Sequence, residues 1–142
     1  MLHTFDFPLP PTLNKQIDEA RSGWYKSAET KEIWTNLIAE ESRNSCMFLG
    51  EVWMDFVWGI PKFDHDPDNV AAAAKYILDG LTQSKVIQND NLTIIQSPIL
   101  HWYERDQNAG VTVTISDNPY FLIERIQTFK ELYEIHTQKT LK

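Results

Sequence analysis

The chain has 142 residues, 42% of them hydrophobic, the size and composition of one globular domain with a core of its own. Its 20 acidic against 13 basic residues leave a net charge of −7, which argues against a general nucleic-acid binder, whose phosphate contacts need a basic footprint. A lone cysteine, Cys46, excludes an internal disulfide and any multi-thiolate zinc site.

The start, Met1-Leu2-His3-Thr4-Phe5-Asp6-Phe7, lacks the basic and apolar regions of a secretory leader. No stretch approaches the roughly 18 apolar residues of a membrane span. Both observations predict a cytoplasmic protein with no membrane partner. Phe5 to Leu9 alternates apolar and polar residues and then meets Pro10-Pro11, the pattern of a short edge strand ended by prolines. Residues 12–26 read as a loop. Ser27, Glu29 and Thr30 begin a helix over about 28–44, in which Ile33, Trp34, Leu37 and Ile38 recur at helical spacing.

Glu51 to Ile60 predicts a strand with one strongly buried face, because Val52, Met54, Phe56, Trp58 and Ile60 are all apolar. Pro67 to Thr82 predicts one continuous helix, with Val70, Ala73, Ala74, Ile77, Leu78 and Leu81 on a single apolar stripe. Projected at 100° per residue, Asp68, Lys75 and Asp79 fall on the same polar flank of that helix. Leu92–Leu100 and Val111–Ile115 read as two strands joined by a polar turn through Arg105 to Gly110, a hairpin. Asn118-Pro119 opens a last helix, about 119–137, carrying Leu122, Ile126, Phe129 and Tyr133. The expected fold is a single α+β domain with a small mixed sheet, helices packed mainly on one face and the order β-α-β-α-β-β-α.

Chemistry concentrates in Asp64-His65-Asp66-Pro67-Asp68-Asn69, followed later by Asp90. An EF-hand loop would match Asp64, Asp66 and Asp68, but its sixth position is Asn69 in place of glycine and its twelfth is Lys75 in place of glutamate. A plain helix start accounts for Asp66-Pro67-Asp68 without any metal, with Asp66 as cap and proline at the first helical position. The third account is a nuclease-type centre. Phosphodiester hydrolysis needs an activated water and stabilisation of charge on the phosphoryl oxygens, which carboxylate-held Mg²⁺ and a lysine can supply.

The run Asp66-Pro67-Asp68-Asn69, then Lys75 through Leu81, then Val86-Ile87-Gln88-Asn89-Asp90 resembles the central signature of RusA-type Holliday junction resolvases, a family frequent in phages. Pro8-Leu9-Pro10-Pro11-Thr12-Leu13-Asn14 is similar to that family's proline-rich strand end, and the resemblance extends from residue 5 to about 116. It implies that Asp66, Asp68 and Asp90 are metal-binding catalytic acids, that Lys75 is the catalytic lysine and that Asn69 supports them. It further implies Mg²⁺ as cofactor, with Mn²⁺ able to substitute, branched DNA as substrate and a homodimer that resolves four-way junctions by paired symmetric nicks.

Two departures from the family pattern are visible. The family's lysine lies one helical turn after the second acid, where this chain has Ala72, and Lys75 comes seven residues after Asp68. The basic residues that usually precede the signature are reduced to Lys62. Lys62, His65, Trp24 and Lys26 are the candidate DNA contacts, Trp24 and Tyr25 as stacking platforms or as anchors of their loop on the core. The alternative function is a non-catalytic DNA- or protein-binding module that retains the resolvase fold.

Overall fold

The computed structural model describes residues 1–141. Along the chain run β1 (Leu2–Phe7), α1 (Leu13–Ser22), α2 (Trp24–Ser42), β2 (Trp53–Ile60), α3 (Pro67–Ala71), α4 (Ala74–Gln83), β3 (Leu100–Arg105), β4 (Gly110–Ser116) and α5 (Tyr120–Leu141). The fold is α+β around one mixed sheet in the order β1-β4-β2-β3. β4 runs antiparallel to both β1 and β2, whereas β2 and β3 are parallel.

The alternation in β2 decides which face is core. Met54, Phe56, Trp58 and Ile60 are buried and pack with Phe5 and Phe7 of β1 and Val111, Val113 and Ile115 of β4. Ile38 of α2 and Ile77 and Leu81 of α4 close this side. Each such side chain contributes about 1.5–3 kcal/mol on burial, so the face bearing them sets the register. α2 and α4 cross at Gly80, where an added Cβ would collide with Ile38 and lie 3.0 Å from the Thr35 carbonyl oxygen.

The other face carries Asp55 and Val57 of β2 and Leu100 and Trp102 of β3, and α5 lies over it. Leu122 is buried there, the Phe129 and Trp102 rings stand 5.7 Å apart, and Arg125 Nε reaches Asp55 Oδ2 at 3.2 Å. Thus α1 to α4 share one face and α5 alone covers the second. Among the described residues, no helix is long and apolar enough to cross a membrane.

The helix expected over 28–44 is α2, and two other expectations before residue 84 are corrected. The expected loop at 12–26 is α1 plus the first turn of α2, and no residue of α1 is buried. Polar ties hold it: the Asn14 backbone N–H donates to Asn69 Oδ1 at 2.8 Å, and Gln16 Nε2 donates to the carbonyls of Pro11 at 2.9 Å and Ala72 at 3.3 Å. Gly23, at φ 146, makes the corner between α1 and α2 in a region that favours glycine. The helix expected over 67–82 breaks after α3. There the backbone N–H groups of Ala73, Lys75 and Tyr76 each bond three residues back, a tighter winding than the α-helix.

The expected hairpin is corrected more deeply. Residues 92–99 are not a strand: the N–H groups of Ile94 and Ile95 both turn back to the Asn91 carbonyl, at 3.1 and 2.9 Å. The strand is Leu100–Arg105, and it does not pair with β4, because β2 lies between them. Residues 106–109 instead pass over the end of β2, with the Asp106 N–H bonded to the Ile60 carbonyl at 3.0 Å. Gly59 makes room for this crossing, since a Cβ there would stand 3.2 Å from Asp106 Cβ.

Candidate functional site

β2 delivers the chain at Ile60 into an exposed segment that carries Lys62, Phe63, Asp64 and His65. The Arg105 guanidinium lies 5.3 Å from the centre of the Phe63 ring, a cation–π contact that ties this segment to the end of β3. Asp66 occupies the N-cap position of α3 with an extended backbone, and Pro67 follows at the helix start. Its side chain nevertheless makes no capping hydrogen bond. Asp68 sits in the first turn, also exposed. Among the described residues, neither carboxylate accepts a hydrogen bond or an ion pair. The plain helix-start account therefore leaves both acids without a protein partner.

Asn69 is buried directly beneath them. Its Oδ1 accepts the Asn14 N–H, and its Nδ2 donates to His65 Nδ1 at 3.0 Å. With Nδ1 accepting, the neutral His65 ring carries its proton on Nε2, which faces Asp64 Oδ1 at 3.6 Å. One amide thus joins the segment after the prolines, the acidic loop and α3. Tyr103 of β3 completes this corner by donating its hydroxyl to the Pro67 carbonyl at 3.1 Å. Burial pushes its pKa up, and the nearby Asp68 charge pushes it further, so the phenol stays protonated. Tyr103 escapes notice in the sequence because it falls between the expected strand at 92–100 and the expected turn at 105–110.

Lys75 lies in the first turn of α4, exposed, with its amine 5.1 Å from the Tyr76 ring centre. The break before α4 means that a 100° projection does not carry from Asp68 to Lys75. Lys75 instead belongs with Asp79, whose pKa it helps to lower. Burial is the largest influence on Asp79 and raises its pKa; Lys31, 3.9 Å away, opposes it, and the neighbouring Asp90 raises it again. Asp90 follows α4 in an exposed loop, its N–H bonded to Asn89 Oδ1 at 2.7 Å.

Asp90 and Lys75 are thus both neighbours of Asp79. Asp66 and Asp68 form a separate pair beside Asn69 and Tyr103. Among the described residues, no three Asp, Glu, His or Cys side chains gather closely enough to hold a metal ion. Asp79, expected on the polar flank with Asp68 and Lys75, is the neighbour that the sequence did not assign to Asp90.

Of the candidate DNA contacts, Trp24 is 82% exposed and meets Tyr25 edge to face, with ring centres 6.3 Å apart. Neither ring anchors a loop on the core; both project from the first turn of α2, beside exposed Lys26. A scan against protein-family models finds no match to this chain. A search of the curated proteins likewise finds none.

Proposed function

We propose that the protein is a Mg²⁺-dependent endonuclease that cuts branched DNA as a homodimer, in the manner its resemblance to RusA-type resolvases implies. The observation that carries this proposal is the pair of carboxylates, Asp66 and Asp68, left without protein partners at the start of α3. Two carboxylates turned onto one ion would repel each other, and the divalent cation offsets that repulsion. Hard oxygen donors suit Mg²⁺, which typically takes only one or two protein carboxylates and keeps several waters, and Mn²⁺ accepts the same donors. Asp66 and Asp68 would hold the ion, and Asp90 would join them by leaving Asp79.

When bound, the ion lowers the pKa of a coordinated water and offsets charge on the phosphoryl oxygens. Asn69 fixes the first turn of α3 and so the direction of both carboxylates. Lys75 supplies a positive charge for the phosphate or the leaving 3′ oxygen, and Asp79 holds the amine's electrostatic partner close by. Four-way junctions are resolved by two nicks in strands of like polarity, so a two-fold dimer with one centre per chain matches the substrate's symmetry.

Incubation with a four-way junction and with linear duplex, in Mg²⁺ or in EDTA, tests the proposal. Paired nicks are expected on the junction alone, and only with the metal. Asp68→Asn is expected to abolish cleavage while junction binding stays intact or tightens; Mg²⁺-dependent nicking by that variant overturns the assignment. A second reading, a non-catalytic DNA- or protein-binding module, is favoured by the Asp79–Asp90 contact, which occupies the third acid. It predicts binding without cleavage by the unaltered chain in the same assay.

A further inference from the structure

β2 and β3 run parallel with Ile60 opposite Arg105, so both strands end at the same edge of the sheet. There the exposed segment after β2 and the start of α3 enclose a hollow of about 150 Å³, lined by Ile60, Phe63, His65, Pro67, Val70 and Tyr103. Its base is apolar, because Ile60 and Val70 belong to the core. Three of the six lining residues carry rings, and Phe63 among them is 51% exposed. Pro67 stands between Asp66 and Asp68 in the chain, so one wall of the hollow is the residue that separates the two acids.

Such a lining selects shape first. Apolar side chains and rings favour a flat aromatic group, while His65 and the Tyr103 hydroxyl can meet polar atoms at its edge. Charge comes from Arg105, which lies far from the acidic run in the sequence and reaches it from the end of β3. Its guanidinium sits over the Phe63 ring at 5.3 Å, is exposed, and makes no ion pair among the described residues. The ring holds the guanidinium in place and leaves N–H groups for an oxyanion. A flat aromatic group joined to an anion is the chemistry of a nucleotide.

We infer that this hollow takes one unpaired nucleotide of a DNA strand, its base against the Phe63 and Tyr103 rings and its phosphate on Arg105. That the nucleotide belongs to a strand rests on the nuclease proposal; the nucleotide chemistry rests on the hollow and Arg105. A base already unpaired leaves the stack at least cost, whereas a base in intact duplex must first be unpaired. The hollow therefore favours branched over linear DNA, and it holds the strand beside Asp66 and Asp68.

Fluorescence anisotropy with two labelled duplexes tests the site, one bearing a single unpaired thymidine and the other an abasic residue at the same bulge. Both are titrated in Ca²⁺, which accepts the same oxygen donors as Mg²⁺. The probes share backbone and charge, so their difference in affinity reads the base alone. The unaltered chain is expected to bind the thymidine bulge ~10-fold more tightly; Phe63→Ala should abolish that preference and Phe63→Tyr should keep it. Arg105→Gln should weaken both probes alike and lower the salt dependence by about one phosphate contact. Both positions are exposed, and an unchanged circular dichroism spectrum is expected for each variant. Equal affinity for the two probes, no binding of either, or a preference that survives Phe63→Ala overturns the inference. So does displacement of the thymidine bulge by equimolar free thymidine monophosphate, which would make a loose nucleotide the ligand. Junction nicking in Mg²⁺, read in parallel, separates the two proposals: base preference without nicking removes the nuclease assignment and leaves the nucleotide site standing, and nicking without base preference does the reverse.

Discussion

Asp55 is fully buried, and its two oxygens are treated differently. Oδ2 receives the Trp102 indole N–H at 2.8 Å and Arg125 Nε at 3.2 Å, whereas Oδ1 has no partner. Arg125→Met would keep the apolar stem and leave the acid with the indole alone. The expected loss is about 1–3 kcal/mol, at the lower end because the arginine is 41% exposed, and thermal melting should fall by roughly 2–4 °C per kcal/mol. His101 gives the pH dependence. Burial lowers its pKa, Asp55 opposes the shift, and the ring lies beside both Phe56 and Trp58 with Nδ1 accepting from Trp58 Nε1 at 2.9 Å. The unfolded chain then binds the proton more readily than the folded one, so His101 contributes stability above the ordinary imidazole pKa and loses it as pH falls through the depressed value. Melting temperature against pH should show that acid-side decline, and His101→Gln, which keeps an acceptor for Trp58, should flatten it. At this scale the sequence exposed Asp66, Asp68 and Asn69 because local spacing alone places them together. It hid Asp79 and Tyr103, whose neighbours depend on how distant elements pack.

Among the elements, β2 was legible because five apolar residues in strict alternation leave only one face for the core. α1 was missed although Leu13, Ile17 and Ala20 recur at helical spacing among good helix formers; the stripe is short, none of it is buried, and Asn14 and Gln16 tie the helix down through partners distant in sequence. The break between α3 and α4 falls in an alanine run, whose composition favours helix throughout and carries no stop signal. A hairpin was the natural expectation for β3 and β4, since a short polar connection usually joins neighbours; only Gly59 hinted that the connection could cross another strand. Gly80 marks the α2–α4 crossing in the same way. In Gly80→Ala, the helix-propensity gain of about 1 kcal/mol opposes an overpacking cost of about 1–3 kcal/mol against Ile38 and the Thr35 carbonyl. Because backbone lies on the far side, overpacking should win, and chemical denaturation should show a lower midpoint with an unchanged slope.

In the whole molecule, the sheet separates two unlike faces. Its deeply apolar face, with α1 to α4, holds the acids and Lys75 on short helices and loops around a rigid core. Its second face is mixed, with Asp55, Thr4 and Thr114 among its residues, and α5 sits on it with much of its own apolar surface still exposed. The net charge of −7 includes the acids of both candidate groups, so under the nuclease proposal a bound divalent ion would offset part of it where DNA would approach. Charge and composition alone reveal none of this division, because they record how many acids there are and not where the sheet sends them.

The pairing of β1 with β4 has a consequence for the chain as it is made. Leu2 lies opposite Ser116 and Phe7 opposite Val111, so the first strand to leave the ribosome waits for almost the last. At about 5–20 residues per second, that wait is roughly 5–20 s. Until it ends, Phe5 and Phe7 have no sheet to cover, and β4 emerges to find β2 already available on one side and its other edge open. Until β4 is made, β1 therefore stays unpaired, and β1 is the strand whose docking closes the edge of the sheet beside β4.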